Sequence, residues 1–323
     1  MAKVAPGHGS ALALTEMGTL YAWGDNRGGQ LGNGSLTSTH IPTPVDMTGV
    51  LAGKEVVDIA VIGMNETYMA VTRDGLMYTW GYGTTHGQLG NGILGNSSVP
   101  VAVDTSGISP SPKVVEVFGG TQSMTWLART DDGRLINWGY GLQGQLGHGR
   151  FGNESKPVAV NTSGVLAGKQ ITSVATSVGS NGAVFALTSD GQAFSWGYNS
   201  YGLLGNGSTT DSSIPVAVNM SGVLAGKTIT KLVAGSTSNH AIALASDGKL
   251  YAWGEGYYGQ MGNGTSGNPG IRNPLPAAVD MTGVLAGKTI EDVQIAWNTT
   301  LVIADGQAYS WGTYTGTPGP RVT

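Results

Sequence analysis

The sequence has 323 residues, of which only 11% are charged and 54 are glycine. The net charge of −4 and the lack of a basic stripe argue against a nucleic-acid-binding protein. No cysteine is present, which excludes disulfides and thiolate metal sites, and no apolar run reaches the roughly 18 residues that a membrane-spanning helix needs.

The whole chain is built from one repeat, and its landmark is a Trp-Gly pair. Successive landmarks lie 57 or 58 residues apart, a regularity that indicates a repeat architecture. We expect one domain, residues 1–323, with repeats at about 1–55, 56–113, 114–170, 171–228, 229–289 and 290–323. The six tryptophans of the landmark are Trp23, Trp80, Trp138, Trp196, Trp253 and Trp311.

Each copy predicts four strands in the same order. An apolar segment such as 56–61 comes first, and a small apolar segment such as 183–187 follows after a Gly-containing turn. An Asp-Gly pair then predicts a hairpin, because glycine accepts the positive φ of a tight turn. The third segment runs into the Trp, as in 250–253, and the fourth carries a proline, as in 99–103, which favours an edge strand.

Two further segments recur with the repeat. A Gly-Gln-Leu-Gly-Asn-Gly loop follows the Trp-Gly pair, as in 29–34, and we expect its glutamine to bond backbone groups. The Gly-Val-Leu-Ala-Gly-Lys segment, as in 49–54, lacks the glycine spacing of a phosphate-binding loop and is interpreted as a connection between copies. The sixth copy has no Gly-Gln-Leu-Gly loop.

Four strands per copy and no helical periodicity predict an all-β fold, a single β-propeller with six four-stranded antiparallel blades. The sequence leaves open how the strands pair where the two ends of the chain meet. Either each blade coincides with one copy, or residues 319–323 pair with strands of the first copy.

The segment Leu-Tyr-Ala-Trp-Gly-Asp-Asn-Arg-Gly-Gly-Gln-Leu-Gly-Asn-Gly at 20–34, with its counterparts in copies two to five, resembles the repeat of the regulator of chromosome condensation family. This resemblance covers essentially the entire chain and implies a propeller that serves as an interaction platform. The founding protein of that family has seven blades, whereas six copies are visible here, and no segment resembles a wedge for a small GTPase. The connecting segments look more like repeats of bacterial secreted and surface proteins.

The polar residues predict neither a metal site nor a catalytic site. The five histidines occupy unlike positions of the repeat, and we interpret His86 and His148 as surface variants of their loops. Five aspartates recur at the predicted Asp-Gly hairpin corners, where a turn explains them. We therefore expect no enzyme activity and no cofactor, and we interpret the six landmark tryptophans as structural residues packed between neighbouring blades.

Tyrosines give the candidate binding site. Seven of the twelve tyrosines lie in the loop between the third and fourth strands, and tyrosine supplies a large amphipathic contact surface at low entropic cost. For Tyr82, Tyr140 and Tyr198, which hold one repeat position, we expect packing on the adjacent loop. For Tyr201, Tyr257 and Tyr258, which do not hold a common repeat position, we expect exposure. The full set is Tyr82, Tyr140, Tyr198, Tyr201, Tyr257, Tyr258 and Tyr314.

The leading functional hypothesis is a non-enzymatic scaffold that binds a protein partner through these tyrosines. Low charge with abundant small polar residues favours an extracellular or cell-surface location in a bacterium, and the chain has the features of an excised domain without a signal peptide. Three alternatives remain open at this point, namely an inhibitor of a secreted enzyme, a carbohydrate-binding lectin, and a structural or engineered repeat module. Nucleic acid and membrane insertion are not expected.

Overall fold

The computed structural model describes residues 3–119, 123–177, 182–235, 239–266, 272–312 and 321–322. Within these residues the chain forms 24 β-strands and two short 3₁₀ turns. It divides into two compact units, and each holds three sheets. The first unit consists of Met1–Leu142 and His148–Val160, and the second consists of Gln143–Gly147 and Asn161–Thr323.

The first unit holds three antiparallel sheets, each built from four consecutive strands. Sheet 1 comprises β1 (Lys3–Pro6), β2 (Ser10–Leu14), β3 (Leu20–Gly24) and β4 (Thr39–Pro44). Sheet 2 comprises β5 (Val56–Ile62), β6 (Thr67–Thr72), β7 (Met77–Gly81) and β8 (Ser97–Ala102). Sheet 3 comprises β9 (Val114–Phe118), β10 (Thr125–Thr130), β11 (Leu135–Gly139) and β12 (Glu154–Ala159).

The second unit repeats this arrangement. Sheet 4 comprises β13 (Ile171–Thr176), β14 (Ala183–Thr188), β15 (Ala193–Gly197) and β16 (Ser212–Ala217). Sheet 5 comprises β17 (Ile229–Ala234), β18 (His240–Ala245), β19 (Leu250–Glu255) and β20 (Arg272–Ala278). Sheet 6 comprises β21 (Ile290–Ala296), β22 (Thr299–Ala304), β23 (Gln307–Gly312) and β24 (Arg321–Val322), and the 3₁₀ turns span Gly222–Leu224 and Gly283–Leu285.

The Asp-Gly pairs form the hairpins between the second and third strands. At the corner of sheet 2, Gly75 has a φ of 79°, and its N–H donates to Thr72 O over 2.7 Å. A residue with a Cβ is disfavoured at this φ, which is why glycine stands there. The Thr72 hydroxyl donates to the Asp74 carboxylate over 2.5 Å and closes the corner.

The proline-bearing segment forms the edge strand of sheets 1 to 5, as the sequence predicts, and Pro320 of the sixth copy lies outside the described residues. In sheet 2, β8 pairs with β7 in regular register at Thr79 and Val101, and the register then shifts before Gly81 meets Ser97. Pro100 lies within this irregular stretch. Because proline has no N–H to donate, the edge and the register shift together accommodate it.

Within each unit the hydrophobic core lies between consecutive sheets. In the first unit Leu12 and Leu20 of sheet 1 belong to one buried cluster with Tyr68 and Trp80 of sheet 2, and all four are fully buried. Each aromatic side chain removes about 150–250 Å² from water, so these layers account for much of the apolar burial.

Each sheet is made from one copy of the repeat. The last strand, β24, pairs with β23 of its own sheet, with Val322 opposite Tyr309 and Arg321 opposite Ser310. The blade therefore coincides with the copy, and the alternative pairing with the first copy is wrong for Arg321 and Val322. Residues 319, 320 and 323 lie outside the described residues.

Candidate functional site

The landmark tryptophans fix the loop of the preceding copy. The Trp80 indole Nε1–H donates to Gln30 O over 2.9 Å, and the same bond recurs at Trp138, Trp196, Trp253 and Trp311 with distances of 2.8–3.1 Å. Those five indoles are at most 3% exposed. Trp23 differs, because it is only half-buried.

A glycine lies directly on each of these five indoles. At Gly32 a Cβ would lie 2.7 Å from Trp80 Nε1, and the φ of 61° also disfavours any other residue. The glycine of the Gly-Gln-Leu-Gly loop therefore permits the close approach of loop and indole. The counterparts of Gly32 are Gly90, Gly147, Gly205 and Gly262.

The loop glutamines bond the backbone, as the sequence predicts. The Gln260 Oε1 accepts the N–H of Tyr258 over 2.8 Å, and Gln30, Gln88 and Gln145 accept the N–H two residues before them. In copies one and four the side chain of an asparagine also hydrogen-bonds the backbone of the loop. Asn199 accepts the Leu204 N–H and donates to two carbonyls across the loop, and Asn26 makes the same three bonds.

In the first unit the tyrosine loops form a small depression. Tyr82, Thr85, His86, Met64 and Met124 are among the residues that line it, and its volume is about 190 Å³. This depression is open enough for one side chain of a partner and is lined by both aromatic and apolar groups.

His86 connects two of the predicted binding tyrosines in this unit. Its ring meets Tyr140 edge to face, with 4.9 Å between ring centres, and His86 and Tyr82 line the same depression. The histidine is half-buried, and burial lowers the pKa of its imidazole. His86 thus lies at the surface, as the sequence predicts, and also contacts a neighbouring loop.

The second unit brings its tyrosines together in pairs. Tyr198 and Tyr201 lie with ring centres 6.3 Å apart, and Tyr257 and Tyr258 meet edge to face at 4.7 Å. The negative charge of Glu255 is the main reason why the pKa of Tyr201 is raised, so this loop lies close to sheet 5.

Three of the predicted tyrosines are less exposed than expected. Tyr201, Tyr257 and Tyr258 are half-buried, because each lies against another tyrosine. Tyr82, Tyr140 and Tyr198 are half-buried as well. Tyr314 lies outside the described residues.

Three residues that the sequence analysis missed stand out where one copy departs from the others. Glu66 is a buried carboxylate with a φ of 63°, and His240 is a fully buried imidazole. Trp297 is 70% exposed at the tip of the hairpin between β21 and β22, with a φ of 52°. The available signal for His240 was a histidine at a position where Thr67 and Thr125 stand in other copies.

The structure offers no metal site within its described residues, because no group of three or more His, Asp or Glu side chains comes together there. His148 has a side chain only 5% exposed and contacts Glu154 at 3.1 Å, so its interpretation as a surface variant is wrong. No helix in the described part of the chain is long and apolar enough to cross a membrane.

The opposite ends of the sheets carry ion pairs. The lysine of the connecting segment meets the aspartate of the hairpin corner, as in Lys54–Asp74 at 2.6 Å and Lys169–Asp190 at 2.5 Å. Lys54 holds the pKa of Asp74 down to about 2. These pairs are exposed and satisfy one another, which leaves the tyrosine loops as the better candidate site.

Comparison with known proteins places this geometry in a family. The RCC1-like domain family matches residues 1–317. The human E3 ubiquitin-protein ligase HERC2 is 30% identical over 296 residues, which cover 91% of this chain and 6% of HERC2. The Arabidopsis thaliana ultraviolet-B receptor UVR8 is also 30% identical over 296 residues, which cover 91% of this chain and 61% of UVR8.

A solved structure shows a similar fold. The yeast RCC1 protein Prp20, in its crystal structure with Kap60, matches with a TM-score of 0.67 and 23% identity over 98% of this chain and 74% of that chain. The chain spans less than two thirds of the length of HERC2 and of UVR8. The predicted fold class, a β-propeller with six four-stranded antiparallel blades, is confirmed. The chain belongs to the RCC1-like domain family.

Proposed function

We propose that this chain is a non-enzymatic module that binds a protein partner through the loops between the third and fourth strands of its sheets. One observation carries the proposal. Tyrosines that are half-exposed lie on loops whose backbone is fixed by glutamine, asparagine and indole hydrogen bonds. Fixed aromatic side chains lose little entropy on binding, and tyrosine is enriched at binding hot spots.

The second unit offers the larger aromatic surface. Tyr198 with Tyr201 and Tyr257 with Tyr258 form two contacting pairs on loops of neighbouring copies. Glu255 and Arg272 lie close enough to Tyr201 to affect its pKa in opposite directions. A surface of aromatic rings with one acidic and one basic group suits a partner segment that is mainly apolar with charged flanks.

The first unit adds a place for an anchoring side chain. The depression beside Tyr82 and His86 has methionine side chains, Met64 and Met124, on its wall. Methionine adapts its shape to different apolar groups, so the depression suits an aliphatic or aromatic side chain of the partner.

Relatives support a protein partner in general terms. Prp20 was solved bound to Kap60, and another study of Prp20 concerns its binding to Gsp1p and histones. These are partners of Prp20, and they do not identify the partner of this chain. The extracellular or cell-surface location and the bacterial source stay predictions, supported by the low charge and the small polar residues.

Site-specific photo-crosslinking tests the proposal. The photoreactive residue p-benzoylphenylalanine replaces Tyr201 or Tyr257 in one pair of variants, and Met17 in a control. Met17 is 89% exposed and lies in the hairpin at the opposite end of sheet 1. We expect one discrete crosslinked protein from extracts of the source cells with Tyr201 or Tyr257 replaced and none with Met17 replaced, and the reverse pattern would overturn the proposal.

A further inference from the structure

A cleft opens between sheets 2 and 3 of the first unit, where β6 ends and β9 begins. Its volume is about 250 Å³, and it shares no lining residue with the depression beside Tyr82 and His86. The cleft is therefore a second concave feature of the same unit. The residues that line it include Val57, Asp58, Val71, Arg73, Lys113 and Val115.

Two valines give the cleft an apolar lining. Val57 and Val115 each hold the residue that the strand register skips, and they are 43% and 53% exposed. Such a β-bulge leaves its extra residue unpaired and redirects the side chain. The two copies that border the cleft thus carry an aliphatic residue at the bulge, whereas copies four, five and six carry Thr172, Thr230 and Glu291.

Most charged groups around the cleft already have a partner of opposite charge. The pairs are Arg73 with Glu55, Asp58 with Lys3, and Glu116 with Arg129 at 2.7 Å. Because each carboxylate that lines the cleft is paired with a cation, neither leaves an uncompensated negative charge there.

Lys113 is the exception. Within the described residues its amine has neither a hydrogen-bond acceptor nor a carboxylate partner. Its aliphatic stem lies against the hairpin corner of sheet 2, since a Cβ at Gly75 would be 2.3 Å from Lys113 Cγ. The Val114 N–H donates to Gly75 O over 3.0 Å and holds the chain beside this corner. The cleft therefore has one cation without a counter-ion next to its apolar lining.

We propose that this cleft binds an acidic segment of a partner protein, with one carboxylate beside Lys113 and one aliphatic side chain against Val57 and Val115. Charge complementarity favours this occupant, because a carboxylate would neutralise Lys113, whereas a basic segment would meet a like charge. The cleft is lined by none of the tyrosines of the proposed binding site, so this contact goes beyond the proposed function and does not depend on it.

The absence of cysteine from the sequence permits a disulfide-tethering test, because an introduced thiol is the only one in its chain. Asp131→Cys places a thiol near Lys113, since the Asp131 N–H donates to Lys113 O over 2.8 Å. Ser189→Cys is the matched control. Ser189 holds the same position in sheet 4, its N–H donates to Gln170 O over 2.9 Å, and both replaced residues are exposed.

Each variant is equilibrated with a thiol peptide and excess 2-mercaptoethanol, and the tethered fraction is measured by intact mass spectrometry. The probes are acetyl-Cys-Gly-Leu-Glu-amide and two counterparts with Gln or Lys in place of Glu. At Asp131→Cys we expect the Glu peptide to be retained at least about threefold better than the Gln peptide. At Ser189→Cys we expect equal retention of the two.

Two further changes separate the contributions of charge and apolar contact. In the Asp131→Cys chain, Lys113→Gln should remove the preference for Glu over Gln. Val57→Thr with Val115→Thr, the residue type of copies four and five, should lower retention of the Leu-Glu peptide without affecting a Gly-Glu peptide. Circular dichroism spectra like that of the parent confirm that these variants fold.

Equal retention of the Glu and Gln peptides at Asp131→Cys would overturn the proposal. Better retention of the Lys peptide would do the same, because the carboxylates of Asp58 and Glu116 would then govern the charge of the cleft. An equal Glu preference at Ser189→Cys would show that the preference is not specific to this cleft. Crosslinking at Tyr201 and Tyr257 tests the tyrosine loops separately, so failure here leaves the proposed function standing.

Discussion

The carboxylate of Glu66 accepts a hydrogen bond from the backbone N–H of Ser10 over 3.0 Å and thereby ties sheet 2 to sheet 1. The same carboxylate accepts the Gly9 N–H over 2.5 Å and the Ser10 hydroxyl. Glu66 has a φ of 63°, at a position where four other copies carry glycine or asparagine, which tolerate that φ. The three hydrogen bonds compensate for an unfavourable backbone conformation.

Replacing Glu66 tests this balance. Glu66→Asn suits the backbone but is too short to reach Ser10, so the buried Ser10 N–H and the part-buried Gly9 N–H lose their acceptor. We predict a loss of about 2–3 kcal/mol in the free energy of unfolding, measured by urea titration. Ser10→Ala removes the hydroxyl alone and should cost about 1 kcal/mol. A Glu66→Asn chain as stable as the parent would show that relief of the positive φ outweighs the hydrogen bonds.

The close approach of glycine and indole gives a second prediction. Gly90 has a φ of 65°, and a Cβ there would lie 2.7 Å from Trp138 Nε1, whereas Gly53 has a φ of 69° with nothing within 4 Å. Gly53→Ala should cost about 1–2 kcal/mol through φ alone. Gly90→Ala should cost at least about 1 kcal/mol more, because the indole must move. Equal losses in thermal or urea unfolding would contradict the role given to the loop glycine.

Because His240 is buried in the second unit, we predict that acid lowers the stability of the folded protein. The Thr300 hydroxyl donates to Gln260 O over 3.1 Å, so it accepts from His240 Nε2–H at 3.1 Å, and Nδ1 is buried without a partner in the described part of the chain. Burial lowers the pKa of His240 to about 3, against 6.5 for an exposed histidine. Between these values the unfolded chain binds a proton that the folded chain does not.

The stability of the folded chain should therefore fall as the pH drops below about 6.5, by as much as about 1.4 kcal/mol per pH unit until the pH nears 3. His240→Thr introduces the residue that Thr67 and Thr125 provide at this position. It should flatten the dependence of the urea midpoint on pH, while His8→Thr, at an exposed position, should leave it unchanged. A steep acid loss that persists in His240→Thr would assign the sensitivity to other groups.

The sequence predicts the fold well because the same pattern of strands and turns recurs in six copies. The Asp-Gly hairpins, the edge strand with its proline and the loop glutamine all follow from residues that recur at one position. The repeat does not predict that Trp23 is only half-buried. Trp80, by contrast, is fully buried and donates to the loop of the preceding copy.

The candidate site could be predicted only in part. The tyrosines were identified from their place after Trp-Gly, but the contacts between Tyr198 and Tyr201 and between His86 and Tyr140 depend on how each loop folds back. Those loops differ in sequence from copy to copy, so the conformation of one loop cannot be inferred from the others. Trp297 was missed for the same reason, since the short hairpin that exposes it occurs in the sixth copy only.

The affinity of the crosslinked partner for a variant without the second-unit tyrosines tests the central claim most directly. We predict that Tyr201→Ala/Tyr257→Ala/Tyr258→Ala raises the dissociation constant at least about tenfold, corresponding to about 1.4 kcal/mol, because aromatic anchors dominate binding energy. Met17→Ala should leave the constant unchanged, and both variants should keep the circular dichroism spectrum of the parent. A change of less than about twofold in the folded triple variant would contradict a binding site built from these tyrosines.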